Sequence, residues 1–439
     1  MGKKIIVAGL GHGGIAAAAQ LSKAGYDVTV YEKKSEGTLG YDWTDIFAPG
    51  ALGVAGIPMP DESLYEYKEN MTFFGPSETV GLKQHVPQDQ LEIKMERRDI
   101  YNHLISHAVD CGVKIEYDTE VIAPALLGNR VVGIKTDKGD FYADLVIDAC
   151  GMLSPVRMNL PDHLGIEKAP SRLEYITIYR AFYNIGSDEE VEAKFKVMLY
   201  KDGILGMSWV ASEDDHTDVL IGRFADFDMD EVNRFTDLLR QTNPRIGTEK
   251  VRGGQFVNIP VRQPLSLMVA DGYAAIGDSA FMTVPLIGSG IANSLRASRI
   301  LFDAIISDPT DSFSAETLWK YQYNFYKLLG SSLAPLAAAK LILPKLTAKD
   351  VDYAFESGMV TSDDITFGAD FIGLSSMNVK FQDIINKAKL AGSNKEFLRK
   401  LPSTGARISA VTGACAAIPR RYSADKIRSW KRIYEMSFK

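Results

Sequence analysis

Cysteine is scarce in this chain. Three occur in 439 residues, at Cys111, Cys150 and Cys415. They are too few and too scattered for a disulfide framework or a zinc site, so no metal centre is expected. Long apolar runs are lacking too. The nearest, residues 333–346, is interrupted by Pro335, Lys340, Pro344 and Lys345, and a membrane-spanning helix needs roughly 20 apolar residues in a row. Positive charge is in deficit: 49 Lys and Arg stand against 56 Asp and Glu, a net charge of −7. No basic stripe with interleaved aromatics offsets this, which argues against nucleic acid as a partner. There is no internal repeat and no low-complexity segment. The first strand pattern begins within a few residues of the start, so no signal peptide is expected. A reducing, cytoplasmic setting and two or three domains are the resulting expectations.

What the chain has is concentrated in residues 3–34, KKIIVAGLGHGGIAAAAQLSKAGYDVTVYEKK. An apolar run over 5–8 ends in Gly9, Gly11 and Gly14 at GxGxxG spacing. A small-residue helix is predicted from 15 to about 23, and a second strand over 26–31 ends at Glu32. This is a βαβ unit suited to a dinucleotide. Gly9 allows the tight turn, Gly11 lets the backbone approach a pyrophosphate, and Gly14 lets helix and strand pack closely. The helix N-terminus offers free N–H groups and a positive dipole end to phosphate. Glu32 is placed to accept hydrogen bonds from ribose hydroxyls and would repel a 2′-phosphate, which favours FAD or NAD over NADP. No second GxGxxG follows a strand.

Farther along, residues 35–60 read as a long functional loop. Residues 96–109 read as a helix with Ile100, Leu104 and Ala108 on one face. Hairpin strands are expected over 119–126 and 130–136, and a buried parallel strand over 145–149. Segments 175–183, 195–199, 206–210 and 219–224 are β-branched and aromatic, as in an antiparallel sheet. A helix over 229–241 is inserted among them. The chain then returns to the first domain with a strand at 274–276 and a helix over 290–306. The rest, from about 316, is mostly helical.

Three further segments complete a pattern: Arg97 at the start of the 96–109 helix, DLVIDACGMLSPVR at 144–157, and DGYAAIGDSAFMTVPLIGSGIANSL at 271–295. With the N-terminal unit they resemble the FAD-dependent oxidoreductases of the p-hydroxybenzoate hydroxylase fold group. GMSWVASEDDHTDVLIGRF at 206–224 and RGGQFVNIPVRQPLSLMVADG at 252–272 make the chain more similar to the geranylgeranyl reductase family within that group. The resemblance implies an α/β chain with a Rossmann-like FAD-binding domain, an antiparallel β-sheet substrate domain and a helical C-terminal region. The expected division is 1–75, 95–165 and 265–315 for FAD, 76–94 and 166–264 for substrate, and 316–439 for the helical region.

The resemblance also implies roles. Arg97 would reach the FAD pyrophosphate or ribose. Asp278, after Gly277, would accept hydrogen bonds from ribityl hydroxyls. Pro285, Gly288, Gly290 and Ile291 would run beneath the isoalloxazine ring, where the helix start favours negative charge. Gly13, Lys33, Val121 and Gly151 complete the cofactor set. His12, at a position usually filled by a small residue, is expected as a solvent-facing ring beside the pyrophosphate, with a favourable charge when protonated. A proton donor near the flavin is its alternative. Cys150 stands where the family has an acidic residue and is expected to be a small buried group; a redox role is the alternative. The family's loop cysteine is missing from GTLGYDWTDIF, which leaves Tyr41, Trp43 and Asp45 as catalytic candidates. Core packing is the competing reading of Trp43. Met207, Trp209 and Phe256 are expected to line a substrate pocket.

The function implied is FAD-dependent reduction of a C=C bond in a hydrophobic, prenyl or lipid-like substrate. Electrons would come from NAD(P)H or another external donor, such as an electron-donor protein. The alternative is an NAD(P)H- and O2-dependent flavin monooxygenase acting on an aromatic or polyketide substrate. The last 20 residues carry seven Lys or Arg, with Ile427, Trp430 and Tyr434 at helical spacing. They form either a basic amphipathic helix for peripheral membrane contact or a helix docked on the body through Trp430.

Overall fold

The N-terminal apolar run forms the strand Lys4–Ala8, whose last four residues are buried. In the computed structural model, which describes residues 2–366, 387, 390, 392 and 394–439, this strand lies inside a six-stranded sheet. Leu145–Asp148 and Asp27–Tyr31 flank it, both parallel, with Ile5 opposite Leu145 and Val28. Tyr273–Ala275 and Lys114–Glu116 extend the sheet on either side, and Val269–Ala270 closes one edge antiparallel. Strands covered on both faces read as continuous apolar runs, as 145–147 does before the buried Asp148.

The first helix is His12–Lys23, so it begins three residues before the predicted start. Gly11 is its N-cap in extended conformation, and the following glycines are already helical because close packing demands them. A Cβ on Gly14 would stand 2.4 Å from the Ala149 Cβ. One on Gly13 would stand 2.9 Å from the Ser294 carbonyl oxygen of the helix Ile291–Ile306.

The antiparallel expectation for the middle of the chain holds in a seven-stranded sheet. Its order is Ile246–Pro260, Tyr175–Ile185, Thr217–Arg223, Gly206–Ser212, Phe195–Leu199, Thr72–Phe74, Gly81–Lys83. Thr72–Phe74 pairs parallel with Phe195–Leu199. Those three residues, assigned to the first domain on sequence, are thus part of this sheet. Residues 35–60 are not all loop. Thr44–Phe47 is a strand paired antiparallel with Ile93–Glu96, and Gly50–Val54 is a short helix. The strand's partner lies far along the chain, so no local pattern marks it.

Helices dominate the described C-terminal region. Of the expected helical stretch, residues 367–386 lie outside the described residues. Ala315–Phe325 runs through a π turn, Tyr326–Gly330, into Ser331–Lys340. By length and composition 315–345 would cross a membrane, yet 61% of its apolar window is buried in the fold. The last helix, Ala424–Met436, buries Ile427, Trp430 and Tyr434. Trp430 Nε1 donates to the Ala414 carbonyl at 2.8 Å and Tyr434 Oη to the Pro264 carbonyl at 3.1 Å. Its apolar face is therefore docked on the body, while Lys426, Arg428 and Arg432 are exposed.

Candidate active site

The first helix and Ile291–Ile306 both start at one cavity of about 810 Å³. Gly9, Gly11, His12 and Gly13 line it from the first helix's side, and Gly288, Ser289, Gly290 and Ile291 from the other. Two helix N-termini thus point positive dipole ends and free N–H groups into the same space. A Cβ on Gly11 would sit 2.8 Å from the Ala149 carbonyl oxygen, which explains the glycine there.

Glu32 closes one end of the cavity. It is 8% exposed, and its two oxygens accept from Leu10 N and Lys34 N, each at 2.9 Å. The side chain is thereby fixed at the end of its strand, where an adenosine ribose would meet it. Lys33, Val121 and Gly151 line the cavity as well.

The opposite end is built by the loop before Thr44–Phe47 and by the helix Arg97–Asp110. Arg97 Nη1 lies 2.7 Å from Asp45 Oδ2, and Arg97 N donates to the Trp43 carbonyl at 3.0 Å. The guanidinium stacks on Tyr41 at 4.8 Å. Burial works against its charge, but Asp45 and the tyrosines hold its pKa above the ordinary value. Asp45 is accordingly the arginine's counter-ion and is not a free acid. Tyr41 and Trp43 line the cavity beside it, their rings 4.9 Å apart. Asp278 also lines it, accepting from Thr283 Oγ1 at 2.8 Å. Burial raises its carboxyl above the usual value, against Thr283 and the Arg97 charge.

His12 departs from the sequence expectation. It is 9% exposed and stacks on Tyr101 with ring centroids 4.7 Å apart. Burial, then the Arg97 charge, push its pKa down to about 3, so the ring is neutral and does not face solvent. Cys150 lines the cavity as a half-buried thiol whose pKa desolvation and the Asp148 and Glu32 charges raise well above normal, as a small inert group requires.

Three other expected residues lie elsewhere. Trp209 is tied by Nε1 to Asp218 Oδ2 at 3.2 Å and packs on Phe195. Phe256 is 41% exposed and meets Tyr179 and Phe227. Neither they nor Met207 line the cavity; from the large sheet Val257, Asn258 and Ile259 do. Pro285 also stands outside the lining, while Gly288, in the left-handed region at φ 70°, is part of it.

Sequence reasoning missed Asp148, Arg157 and Tyr101. Asp148 is fully buried and accepts from Cys150 N, Ser154 Oγ, Tyr273 Oη and Ser279 Oγ. Arg157, equally buried, donates to the carbonyls of Ser279 and Met152. These two clamp the Cys150–Gly151 turn to the Gly277–Asp278 turn, so both turns reach the cavity in register.

Three cavity residues carry buried nitrogens with no partner among the described residues: His12 Nε2, Trp43 Nε1 and Arg97 Nε. An unpaired buried polar group costs about 1–3 kcal/mol, so three around one cavity mark the seat of an acceptor-rich ligand. The two helix starts suit a pyrophosphate and a reduced flavin, Glu32 a ribose and Asp278 a ribityl chain. The residues present fit FAD.

The chain matches no protein-family profile. It is 23% identical over 381 residues to a digeranylgeranylglycerophospholipid reductase of Sulfolobus acidocaldarius, covering 82% of each chain. It is 26% identical over 321 residues to the Haloferax volcanii protein of that name, covering 67% of this chain and 74% of the relative. Among solved structures, a geranylgeranyl bacteriochlorophyll reductase-like protein of Thermoplasma acidophilum superposes with TM-score 0.71 at 18% identity, covering 92% of this chain and 99% of that one. A probable FAD-dependent monooxygenase of Pseudomonas aeruginosa superposes at 0.57 and 16% identity, covering 80% and 97%.

Proposed function

We propose that this chain, an FAD-dependent oxidoreductase of the p-hydroxybenzoate hydroxylase fold group with geranylgeranyl reductases among its relatives, saturates a carbon–carbon double bond in a prenyl-type lipid. The observation that carries this reading is the likeness to digeranylgeranylglycerophospholipid reductases over 82% of both chains. The apolar part of the cavity wall supports it: Trp43, Ile46, Val257 and Ile259 are among its lining residues, suiting an isoprenoid chain.

When bound, FAD supplies the hydride for one alkene carbon. The chain's residues do the rest. Arg97 and the two helix starts hold the dinucleotide's negative charge. Trp43, Ile46 and Ile259 exclude water from the double bond. A proton must reach the second carbon, and Tyr41 carries the hydroxyl that lines this end of the cavity while Asp45 is held by Arg97. Electrons enter from NAD(P)H or a separate carrier protein, since one dinucleotide fingerprint serves the resident FAD.

The test is product mass. Dithionite-reduced protein under anaerobic conditions is expected to add two hydrogens to a geranylgeranyl-bearing lipid at each reduced double bond. Oxygen-coupled NAD(P)H turnover with hydroxylation of an aromatic, and no alkene reduction, would replace this reading with a monooxygenase.

A further inference from the structure

The large sheet lines the cofactor cavity through Val257, Asn258 and Ile259, and a buried arginine of the same sheet grips the loop beside it. Arg180, on the strand Tyr175–Ile185, is 4% exposed. Its Nε and Nη2 grip the two oxygens of Asp218 at 2.9 and 2.7 Å. The other side of the same fork leaves the sheet: Nη1 donates to the Thr44 carbonyl, and Nη2 to Thr44 Oγ1 at 2.8 Å. The guanidinium also lies 5.1 Å from the rings of Phe182 and Trp209, and 5.7 Å from Trp43.

Thr44 sits between the two residues that hold Arg97. Its predecessor Trp43 accepts from Arg97 N at 3.0 Å, and its successor Asp45 pairs with Arg97 Nη1 at 2.7 Å. We propose that Arg180 is a positioning residue that, through Thr44, fixes the backbone carrying Trp43 and Asp45 and so sets the direction in which Arg97 meets the cofactor. The sheet expected to bear the substrate is thereby coupled to the hold on the flavin nucleotide. A lysine cannot replace it. A planar fork engages a carboxylate and a carbonyl at once, whereas an ammonium is a compact point charge. The inference rests on the FAD site and not on the alkene assignment, so its test uses no alkene.

The holoprotein is diluted and flavin release is followed by fluorescence, with the visible absorption of the bound flavin as a second signal. Arg180→Lys is expected to speed release by about tenfold or more, the effect of losing a charged hydrogen bond, and to displace the absorption bands. Asp45→Asn should do the same. Because both act through one loop, the double variant should fall well short of the product of the single effects. Wild-type release and spectrum in Arg180→Lys, or a double variant equal to the product, would overturn the proposal. Should Arg180→Lys not fold, Thr44→Val removes only the Oγ1 acceptor. It is expected to speed release to a smaller extent, and unchanged release there overturns the proposal equally.

Discussion

Tyr273 Oη donates to Asp148 Oδ2 at 2.8 Å, both groups fully buried and 125 residues apart in the chain. This bond fixes the strand that leads to Gly277–Asp278 against the one that leads to Cys150–Gly151. Tyr273→Phe removes one donor from a carboxylate that keeps three others. A loss of about 1–2 kcal/mol in denaturant unfolding is expected, with flavin retained. Asp148→Ala strands all four donors, and the loss should exceed about 3 kcal/mol, with little flavin left on the purified protein.

Gly14 separates packing from binding. It does not line the cavity, but a Cβ there would meet the Ala149 Cβ at 2.4 Å and Val7 Cγ1 at 2.9 Å. Gly14→Ala is expected to lower stability by about 1–3 kcal/mol through overpacking. The measurement is the thermal midpoint of the apoprotein, where a binding defect has no effect.

Cys150 tests the inert-thiol assignment. With burial and two carboxylates raising its pKa well above normal, the thiol stays protonated at neutral pH and reacts sluggishly. Iodoacetamide at pH 7.5 should leave Cys150 unmodified on a timescale that labels free cysteine, as read by peptide mass. Cys150→Ala should keep its flavin and its turnover.

The dinucleotide half of the site was legible because its information is local. Strand, glycines, helix and Glu32 fall within one short stretch, so the motif is readable even though the atoms that demand its glycines belong to Ala149 and Ser294, far along the chain. What stayed hidden depends on partners far along the chain. Nothing near Asp148 announces Tyr273, and nothing in GHGG reveals that Tyr101 will cover His12. Asp45 reads as a catalytic candidate in the sequence because Arg97, its counter-ion, arrives from another element. Phe256 shares its strand with cavity residues, yet its ring packs on Tyr179 and Phe227, and strand pattern alone does not say which face a cavity takes.

Asp278 distinguishes charge from hydrogen bonding at the ribityl position. Asp278→Asn keeps an acceptor beside Thr283 and should hold flavin with a modest loss. Asp278→Ala removes it and should weaken retention about tenfold or more in gel filtration at low concentration. Equal retention by wild type and Asp278→Ala would remove this residue from the cofactor set.

His12 makes a prediction about acid. Its folded pKa is about 3 against an ordinary 6.5. Above pH 6.5 neither the folded nor the unfolded chain protonates it, and its contribution to stability is complete. Below 6.5 the unfolded chain takes up a proton that the folded site refuses, so stability falls with pH until about 3, by up to roughly 1.4 kcal/mol per pH unit for one such group. His12→Gln keeps a polar side chain and cannot titrate, so its unfolding free energy should decline less steeply between pH 6.5 and 4 than that of the wild type. In the flavin-free protein the ring should stay neutral between pH 6 and 8. A histidine resonance assigned to His12 that titrates near 6.5 in the folded protein would place the ring in solvent and return it to the charged role.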